Sequence, residues 1–305
     1  MNPPTDAVTT RRAVAALLLV VGMLGVGLDG RGGTIASAMD HPGRGRARGM
    51  PSGRPNSDLF YDGALFAAAC PYSHSANDDP IVFPGRSGLS HRHDFFGSTV
   101  TDADSTAPVL RSAATTTCDL AGDTAAYWAP ALLRDGAPVT PTVAEAYYRV
   151  APGAPVADVT PYPAGLAMIG GDAHTEKPLP TAIVGWGCGH APGLSSSIPA
   201  CPPERPLNLR VTFPDCWNGR DLDSPDHVTH VAYSTRRGCP RAFPVTMPRL
   251  TLLVSYPVTG DPTGLEPASG PTMSAHADFL NAWDQGALAR NVRSCLRRGV
   301  VCSVP

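Results

Sequence analysis

Short runs of apolar and polar residues, separated by proline and glycine, occupy the chain beyond its first sixty residues. Runs of strand length with β-branched or aromatic side chains lie at 80–83, 146–150, 182–186, 207–213 and 249–256. From Leu207 to Phe213 the apolar positions alternate with polar ones, so we expect that strand to bury one face. The pattern predicts a fold made mainly of β-strands.

Helical patterns are few and lie near the C-terminus. One candidate covers residues 278–283, and a stronger one covers 285–297, where Leu288, Val292 and Leu296 share a helix face. Because strands and helices do not alternate along the chain, the sequence does not favour a doubly wound parallel sheet. We therefore predict a single β-sandwich, jelly-roll-like, with long disulfide-stapled loops and one or two short C-terminal helices.

The N-terminus has the pattern of an export signal. Arg11 and Arg12 precede an apolar run over residues 13–28, and Ala36-Ser37-Ala38 provides small residues for cleavage after Ala38. An uncleaved anchor is the alternative, although the run is shorter than the roughly 20 apolar residues that span a bilayer. We thus predict a signal peptide at 1–38, a basic disordered linker at 39–57 and one β-rich domain at 58–305.

The cysteine count supports a secreted, extracellular or cell-wall location. All eight cysteines follow the predicted signal peptide, and an even number in an exported chain predicts disulfide bonds. Eight cysteines allow 105 connectivities. Proximity in sequence favours the pairs Cys188–Cys201, Cys216–Cys239 and Cys295–Cys302, which leaves Cys70–Cys118. No Cys-x-x-Cys pair is present, so a structural zinc site built from cysteine is not favoured.

Charge excludes one class of partner. The chain has 24 basic and 26 acidic residues, and its formal net charge is −2. The basic residues are scattered, whereas a nucleic-acid-binding domain concentrates them on one face. We therefore expect no nucleic-acid partner, and no stable membrane span after the signal peptide is removed.

Two clusters of histidine and aspartate carry the candidate chemistry. The first lies at 90–97 and contains His91, His93 and Asp94; on a strand, His91 and His93 point to the same side. The second lies at 222–233, where histidines three residues apart can meet only on a helical turn or a loop. We expect one cleft to collect His91, His93, Asp94, Asp226, His227 and His230.

Three interpretations of these clusters stay open. In a metal-free acid–base site, His93 or His227 accepts a proton, Tyr233 donates one and Arg92 neutralises charge. In a divalent-metal site, the candidate ligands are His91, His93, His227 and His230. In the third, the histidines form a buried polar network that ties loops together. Nothing in the sequence requires a cofactor. A divalent metal ion is the cofactor that the histidines could bind.

Aromatic residues supply candidates for substrate binding. Most of them are expected in the core, but tryptophan also stacks on sugar rings when it is exposed. Trp217 stands at the end of a strand beside a turn, and Trp128 follows the first histidine cluster. We predict that Trp128, Trp217 and Asp223 bind the substrate.

Five motifs in fixed order resemble a known family. They are His91-Arg92-His93-Asp94-Phe95-Phe96-Gly97, Thr116-Thr117-Cys118, Tyr127-Trp128-Ala129-Pro130, Phe213-Pro214-Asp215-Cys216-Trp217-Asn218-Gly219 and residues 222–230. With them the chain resembles the secreted family catalogued as domain of unknown function 1996, over about Asp79 to Tyr256 with a tail at 274–284. Members are found in fungi and bacteria, and some are attached to carbohydrate-binding modules.

The resemblance implies where the protein acts and on which class of substrate, but it does not imply which reaction the protein catalyses. We expect a secreted protein that acts on or binds an extracellular or cell-wall polysaccharide through a His/Asp cleft, as a polysaccharide lyase or a glycoside hydrolase. Two alternatives stay open: a non-catalytic wall-binding or structural module, and an extracellular metal-binding protein.

Overall fold

The computed structural model describes residues 63–151, 153–190 and 192–302. These residues belong to one compact unit, Gly53–Pro305. The predicted signal peptide (1–38), the predicted linker (39–57) and the predicted start of the domain at Asp58 lie outside the described residues.

Fifteen strands occur among the described residues. They are β1 (Leu65–Ala76), β2 (His93–Gly97), β3 (Ala126–Pro130), β4 (Leu132–Arg134), β5 (Ala137–Val139), β6 (Val143–Arg149), β7 (Ala167–Gly171), β8 (Val184–Cys188), β9 (Leu207–Thr212), β10 (Cys216–Trp217), β11 (Val231–Ala232), β12 (Val245–Thr246), β13 (Arg249–Ser255), β14 (Leu265–Pro267) and β15 (His276–Leu280). The mainly β class is therefore confirmed.

Nine of these strands form one antiparallel sheet in the order β7-β15-β3-β2-β1-β6-β13-β9-β8. The long β1 joins its two halves, because residues 65–71 pair with β6 and residues 72–76 pair with β2. The remaining six described strands form two three-stranded sheets, β11-β10-β12 and β14-β4-β5. A single continuous sheet holds the main strands, and the sandwich arrangement stays a prediction.

The large sheet curls until it is nearly closed. Gly170 on β7 lies so close to β9 that a Cβ there would be 2.9 Å from Cγ1 of Val211 and 3.2 Å from the carbonyl oxygen of Thr212. The main hydrophobic core fills the inside of the curl, with Phe66, Tyr148, Trp186 and Trp283 among its largest side chains. Close packing across the curl therefore requires glycine at position 170.

A second, smaller core covers the opposite face of β2, β3 and β15. Its buried residues include Phe95, Trp128 and Ile81, and the helix α1 (Ala107–Ala113) contributes Leu110. In an antiparallel sheet, directly paired residues point to the same side. This outer face is the one that carries the candidate functional site.

Three local expectations are wrong. Residues 80–83 form turns, because Oδ1 of Asp79 accepts hydrogen bonds from the backbone N–H groups of Ile81 and Val82 at 3.0 Å each and so holds a turn. Residues 276–280 form the buried strand β15 between β3 and β7, where a helix was expected from 278. Strand β9 is buried at every position, since it lies between β13 and β8 with side chains covering both faces.

The C-terminal helix and the disulfide pairing are confirmed. Helix α2 (Gln285–Asn291) begins where the side chain of Asp284 accepts a hydrogen bond from the N–H of Ala287 at 2.6 Å, and it continues into a π-helical turn, Val292–Leu296. The disulfide bonds are Cys70–Cys118, Cys188–Cys201, Cys216–Cys239 and Cys295–Cys302. No helix in the described part of the chain is long and apolar enough to cross a membrane.

Candidate functional site

Three histidines meet on the outer face of the large sheet. His93 begins β2, His276 begins β15, and His91 lies two residues before β2. The ring centroid of His91 is 4.3 Å from that of His93 and 5.1 Å from that of His276, and the other two rings are 5.8 Å apart. His93 and His276 are buried, and His91 is half-buried. Each imidazole offers one nitrogen within 4.8 Å of the nitrogens of the other two.

Backbone carbonyl groups fix the tautomers of two of these rings. Nδ1 of His93 lies 2.9 Å from the carbonyl oxygen of Asp78, and Nδ1 of His276 lies 2.8 Å from that of Ser274. Since a carbonyl oxygen only accepts, each Nδ1 donates its proton and each Nε2 keeps its lone pair. Nε2 of His93 and Nε2 of His91 are buried and have no hydrogen-bond partner among the described residues. The lone pair on Nε2 of His93 is therefore free to bind a cation, and no hydrogen bond among the described residues occupies Nε2 of His91.

A buried carboxyl group completes the cluster. Asp278 stands two residues after His276 on the same face of β15; it is fully buried, and neither carboxyl oxygen has a hydrogen-bond partner in the described part of the structure. One of its oxygens is 3.8 Å from Nε2 of His276. Asp79, His93 and Asp278 also offer atoms within 4.8 Å of one another. An unpaired buried carboxyl group costs about 1–3 kcal/mol, so it marks a place where a cation would be stabilising.

Burial sets the protonation states of these groups. It lowers the pKa of His91 to about 4 and that of His276 to about 4, and it holds the pKa of His93 well below its usual range, with the neighbouring histidines adding to the effect. Burial also raises the pKa of Asp278 well above its usual range, and the nearby Asp79 adds to the rise. The three imidazoles are therefore neutral near pH 7, which is the form that binds metal ions.

A cavity of about 730 Å³ opens in front of the cluster. His91, His276, Asp278 and Asp79 lie in one wall, and apolar residues such as Ile169 and Val82 continue it. The lining also includes residues of the loop between β10 and β11 and the exposed side chains of Leu89 and Val228. A volume of this size accommodates a small-molecule ligand or one end of a larger one.

The loop between β10 and β11 brings a second histidine–aspartate pair to the cavity. Nδ1 of His227 lies 2.9 Å and 3.1 Å from the two carboxyl oxygens of Asp223. Asp226 and Tyr233 also line the cavity. The hydroxyl group of Tyr233 donates a hydrogen bond to the carbonyl oxygen of Thr212 at 2.9 Å, and burial raises the pKa of Tyr233. Tyr233 therefore stays protonated.

Other residues expected at the site lie elsewhere. Asp94 is on the opposite side of β2 from His93; it accepts a hydrogen bond from Ser75 and interacts electrostatically with Arg92, and burial raises its pKa to about 6. Arg92 does not line the cavity. His230 is buried, with Nε2 2.7 Å from the carbonyl oxygen of Ala167. Each predicted histidine pair therefore contributes one residue to the cavity lining, His91 from the first and His227 from the second, whereas His93 is buried behind His91 and His230 is buried elsewhere.

The two tryptophans predicted to bind substrate do not line the cavity. Trp128 is fully buried in the second core beside Phe95. Trp217 is partly buried, and its indole N–H donates a hydrogen bond to the carbonyl oxygen of Asp221 at 2.6 Å. Asp223, the third predicted binding residue, holds His227 instead.

Sequence reasoning missed His276, Asp278, Asp79 and the exposed His174, which also lines the cavity. His276-Ala277-Asp278 has the same two-residue spacing as His91-Arg92-His93, and that spacing would have indicated one strand face. Because a helix was expected from residue 278, these two residues were not considered as neighbours on one strand face. Asp79 lies in a turn and has no comparable pattern.

Comparison with protein families yields a match over residues 79–283, to a family described as "Domain of unknown function (DUF1996)". The matched segment contains the whole histidine–aspartate cluster. No curated protein and no solved structure shows significant similarity to the chain.

Proposed function

The chain belongs to the family described as Domain of unknown function (DUF1996), whose description specifies no activity, so we propose a function from the site alone. We propose that it is an extracellular protein that binds one divalent transition-metal ion through His91, His93, His276 and Asp278. It uses this ion on a ligand in the adjoining cavity. Four disulfide bonds support the extracellular location, since such bonds persist in oxidising compartments.

One observation carries this proposal. Buried imidazole nitrogens with free lone pairs face a buried carboxyl group that has no partner among the described residues. A histidine that binds a metal usually donates its other ring N–H to a carbonyl or carboxylate group, as His93 and His276 do here. Without a cation, the same arrangement leaves several buried polar atoms unsatisfied, which is destabilising.

The ligand set favours a particular class of metal. Imidazole nitrogen is preferred by zinc, copper, nickel and iron, whereas calcium takes six to eight oxygen ligands. Three imidazoles and one carboxylate therefore indicate a transition metal. A divalent ion in such a site polarises a substrate oxygen or activates a water molecule. His91, His276 and Asp278 line the cavity, so a ligand there would reach the ion.

An extracellular polysaccharide remains our proposed substrate class, in line with the family resemblance. The predicted tryptophan platform does not support it, because Trp128 and Trp217 lie outside the cavity lining. A sugar would instead meet the polar groups of His91, Asp226 and His227, with apolar contacts to Leu89 and Val228.

The metal site is tested on the full chain, secreted without a histidine tag and purified without chelator. Elemental analysis should find about one transition-metal ion per chain in the wild type. In His276→Gln and Asp278→Asn it should find less than about a tenth of that. His190→Gln is the control, because His190 pairs with Glu145 away from the cavity.

Two results would overturn the metal site. One is a wild-type chain that stays metal-free after incubation with zinc, copper, nickel and iron salts. The other is a pair of cluster variants that keep the wild-type metal content. Circular dichroism checks that the variants are folded, and Asp278→Asn preserves the shape of the side chain.

A further inference from the structure

His227 presents a free ring nitrogen to the same cavity as the metal site. Its Nδ1 lies 2.9 Å from a carboxyl oxygen of Asp223, so Nδ1 donates its proton and Nε2 keeps its lone pair. Nε2 has no hydrogen-bond partner in the part of the chain that the structure describes, and His227 lines the cavity. An imidazole held in this way by a carboxylate is suited to accepting a proton.

The loop around His227 holds that ring in place. His227 has a φ of +59°, a conformation that costs a non-glycine residue about 1–3 kcal/mol and that is enriched at functional sites. Oδ1 of Asp226 accepts hydrogen bonds from Ser224, from the N–H of Val228 and from both the N–H and the hydroxyl of Thr229, at 2.8–3.2 Å. The backbone N–H of His227 donates to the carbonyl oxygen of Ser224 at 2.8 Å.

Asp79 connects the loop with the metal site. Asp79 and His227 both line the cavity. Asp79 in turn offers an oxygen within 4.8 Å of His93 and Asp278. His227 therefore lines the same cavity as His91 and His276 of the three-histidine cluster.

Resting on the metal site proposed above, we infer that His227 is the general base and general acid of a hydrolytic reaction, with Asp223 as its positioning residue. A water molecule in the cavity gives a proton to Nε2 of His227 while its oxygen bonds to the carbonyl carbon of an ester. The bond between that carbon and the leaving oxygen then breaks. His227 returns the proton to the leaving oxygen, so one water is consumed and an acid and an alcohol are released.

An ester bond fits this site better than a glycosidic bond does. Glycoside hydrolases generally place two carboxyl groups on either side of the bond that they cleave. Here Asp79 and Asp278 lie together at the metal site, while Asp226 and Asp172 accept hydrogen bonds from the backbone of their own loops. One metal site and one histidine base are instead the components used for acyl transfer to water.

The test uses the full chain loaded with zinc and p-nitrophenyl acetate as the probe. His227→Ala should lower kcat about 100-fold or more, and free imidazole in the buffer should restore the activity of the variant at least about tenfold after the rate of imidazole with the ester alone is subtracted. Asp223→Asn should lower kcat with little change in KM, because it removes the group that fixes the tautomer and not a group that contacts the ester. Both variants should keep one metal ion per chain, and His190→Ala should match the wild type.

Each other outcome has a distinct meaning. Zinc-loaded wild type that hydrolyses the ester no faster than zinc ion alone overturns the hydrolytic role and leaves metal binding intact. An active wild type with His227→Ala within about twofold of it overturns the role of His227. If His227→Ala is inactive and imidazole restores nothing, the histidine has a structural role only, and the inference again fails. A wild type that takes up no zinc overturns the metal site itself.

Discussion

His93 on β2 and His276 on β15 face each other with their ring centroids 5.8 Å apart, although β3 lies between their strands in the sheet. Each ring donates its Nδ1 proton to a backbone carbonyl group, and both are buried. This relationship makes the outer face of the sheet a candidate metal site, and a metal ion bound only by the folded chain would stabilise the fold.

Removing the metal should lower the melting temperature of the wild type. A ligand at about 100 times its Kd stabilises the native state by about 2.7 kcal/mol, which corresponds to a shift of about 5–10 °C for a domain of this size. We expect chelator to produce this shift, measured by calorimetry. Asp278→Asn should show no shift, and His190→Gln should show the full one. A wild-type melting temperature that chelator leaves unchanged would contradict the prediction.

Asp123 should make stability depend on pH. Burial raises the pKa of this carboxyl group to about 8, and its side chain accepts a hydrogen bond from Tyr127 at 2.8 Å. The unfolded chain loses the proton near pH 4 and the native state keeps it to about pH 8. The stabilisation from the protonated group is therefore complete below about pH 4 and is lost as the pH rises to about 8.

Urea unfolding of the wild type and of Asp123→Asn at pH 5 and pH 8 tests this dependence. Between these values the free energy of unfolding of the wild type should fall relative to the variant by up to about 4 kcal/mol, because the amide does not titrate. All other titrating groups are common to the two proteins and cancel. If the free energies of unfolding of the wild type and of Asp123→Asn change equally between pH 5 and pH 8, Asp123 has an ordinary pKa in the native state.

The disulfide bonds should differ in their contribution to stability. Cys70–Cys118 closes a loop with a sequence separation of 48, whereas Cys295–Cys302 closes one of 7. A longer loop loses more entropy in the unfolded state, so replacing Cys70 and Cys118 by alanine should cost about 1–2 kcal/mol more than replacing Cys295 and Cys302. Denaturant unfolding measures both. Equal losses would mean that packing around the cysteines outweighs loop entropy.

Gly97, at the end of β2, should not tolerate a side chain. Its φ is +76°, and a Cβ there would clash with the carbonyl oxygen of Ala125. We expect Gly97→Ala to lower the free energy of unfolding by about 3 kcal/mol. Gly136→Ala is the matched control, because Gly136 has a φ of +80° with nothing within 4 Å of the added Cβ. If the two variants lose equal stability, the clash is relieved by movement of the backbone.

The sequence by itself determined the features that depend on local pattern or on counting. Short runs of β-branched and aromatic residues indicated strands near β6, β8, β9 and β13, and the short spacings between cysteines favoured three of the observed pairs. The His91-x-His93 spacing indicated two neighbouring imidazoles, and their ring centroids are 4.3 Å apart although only His93 belongs to β2.

Only the tertiary structure decided which distant groups meet. The strand order brings β15 beside β3 and β2, so His276 and Asp278 join His93, while Asp94 points to the other face of the sheet. Short apolar runs such as 276–280 suit a helix or a strand equally, and neighbouring strands settle the choice by offering backbone hydrogen bonds. The second histidine cluster was divided for the same reason: a loop turned His227 toward the cavity, whereas His230 was buried against Ala167.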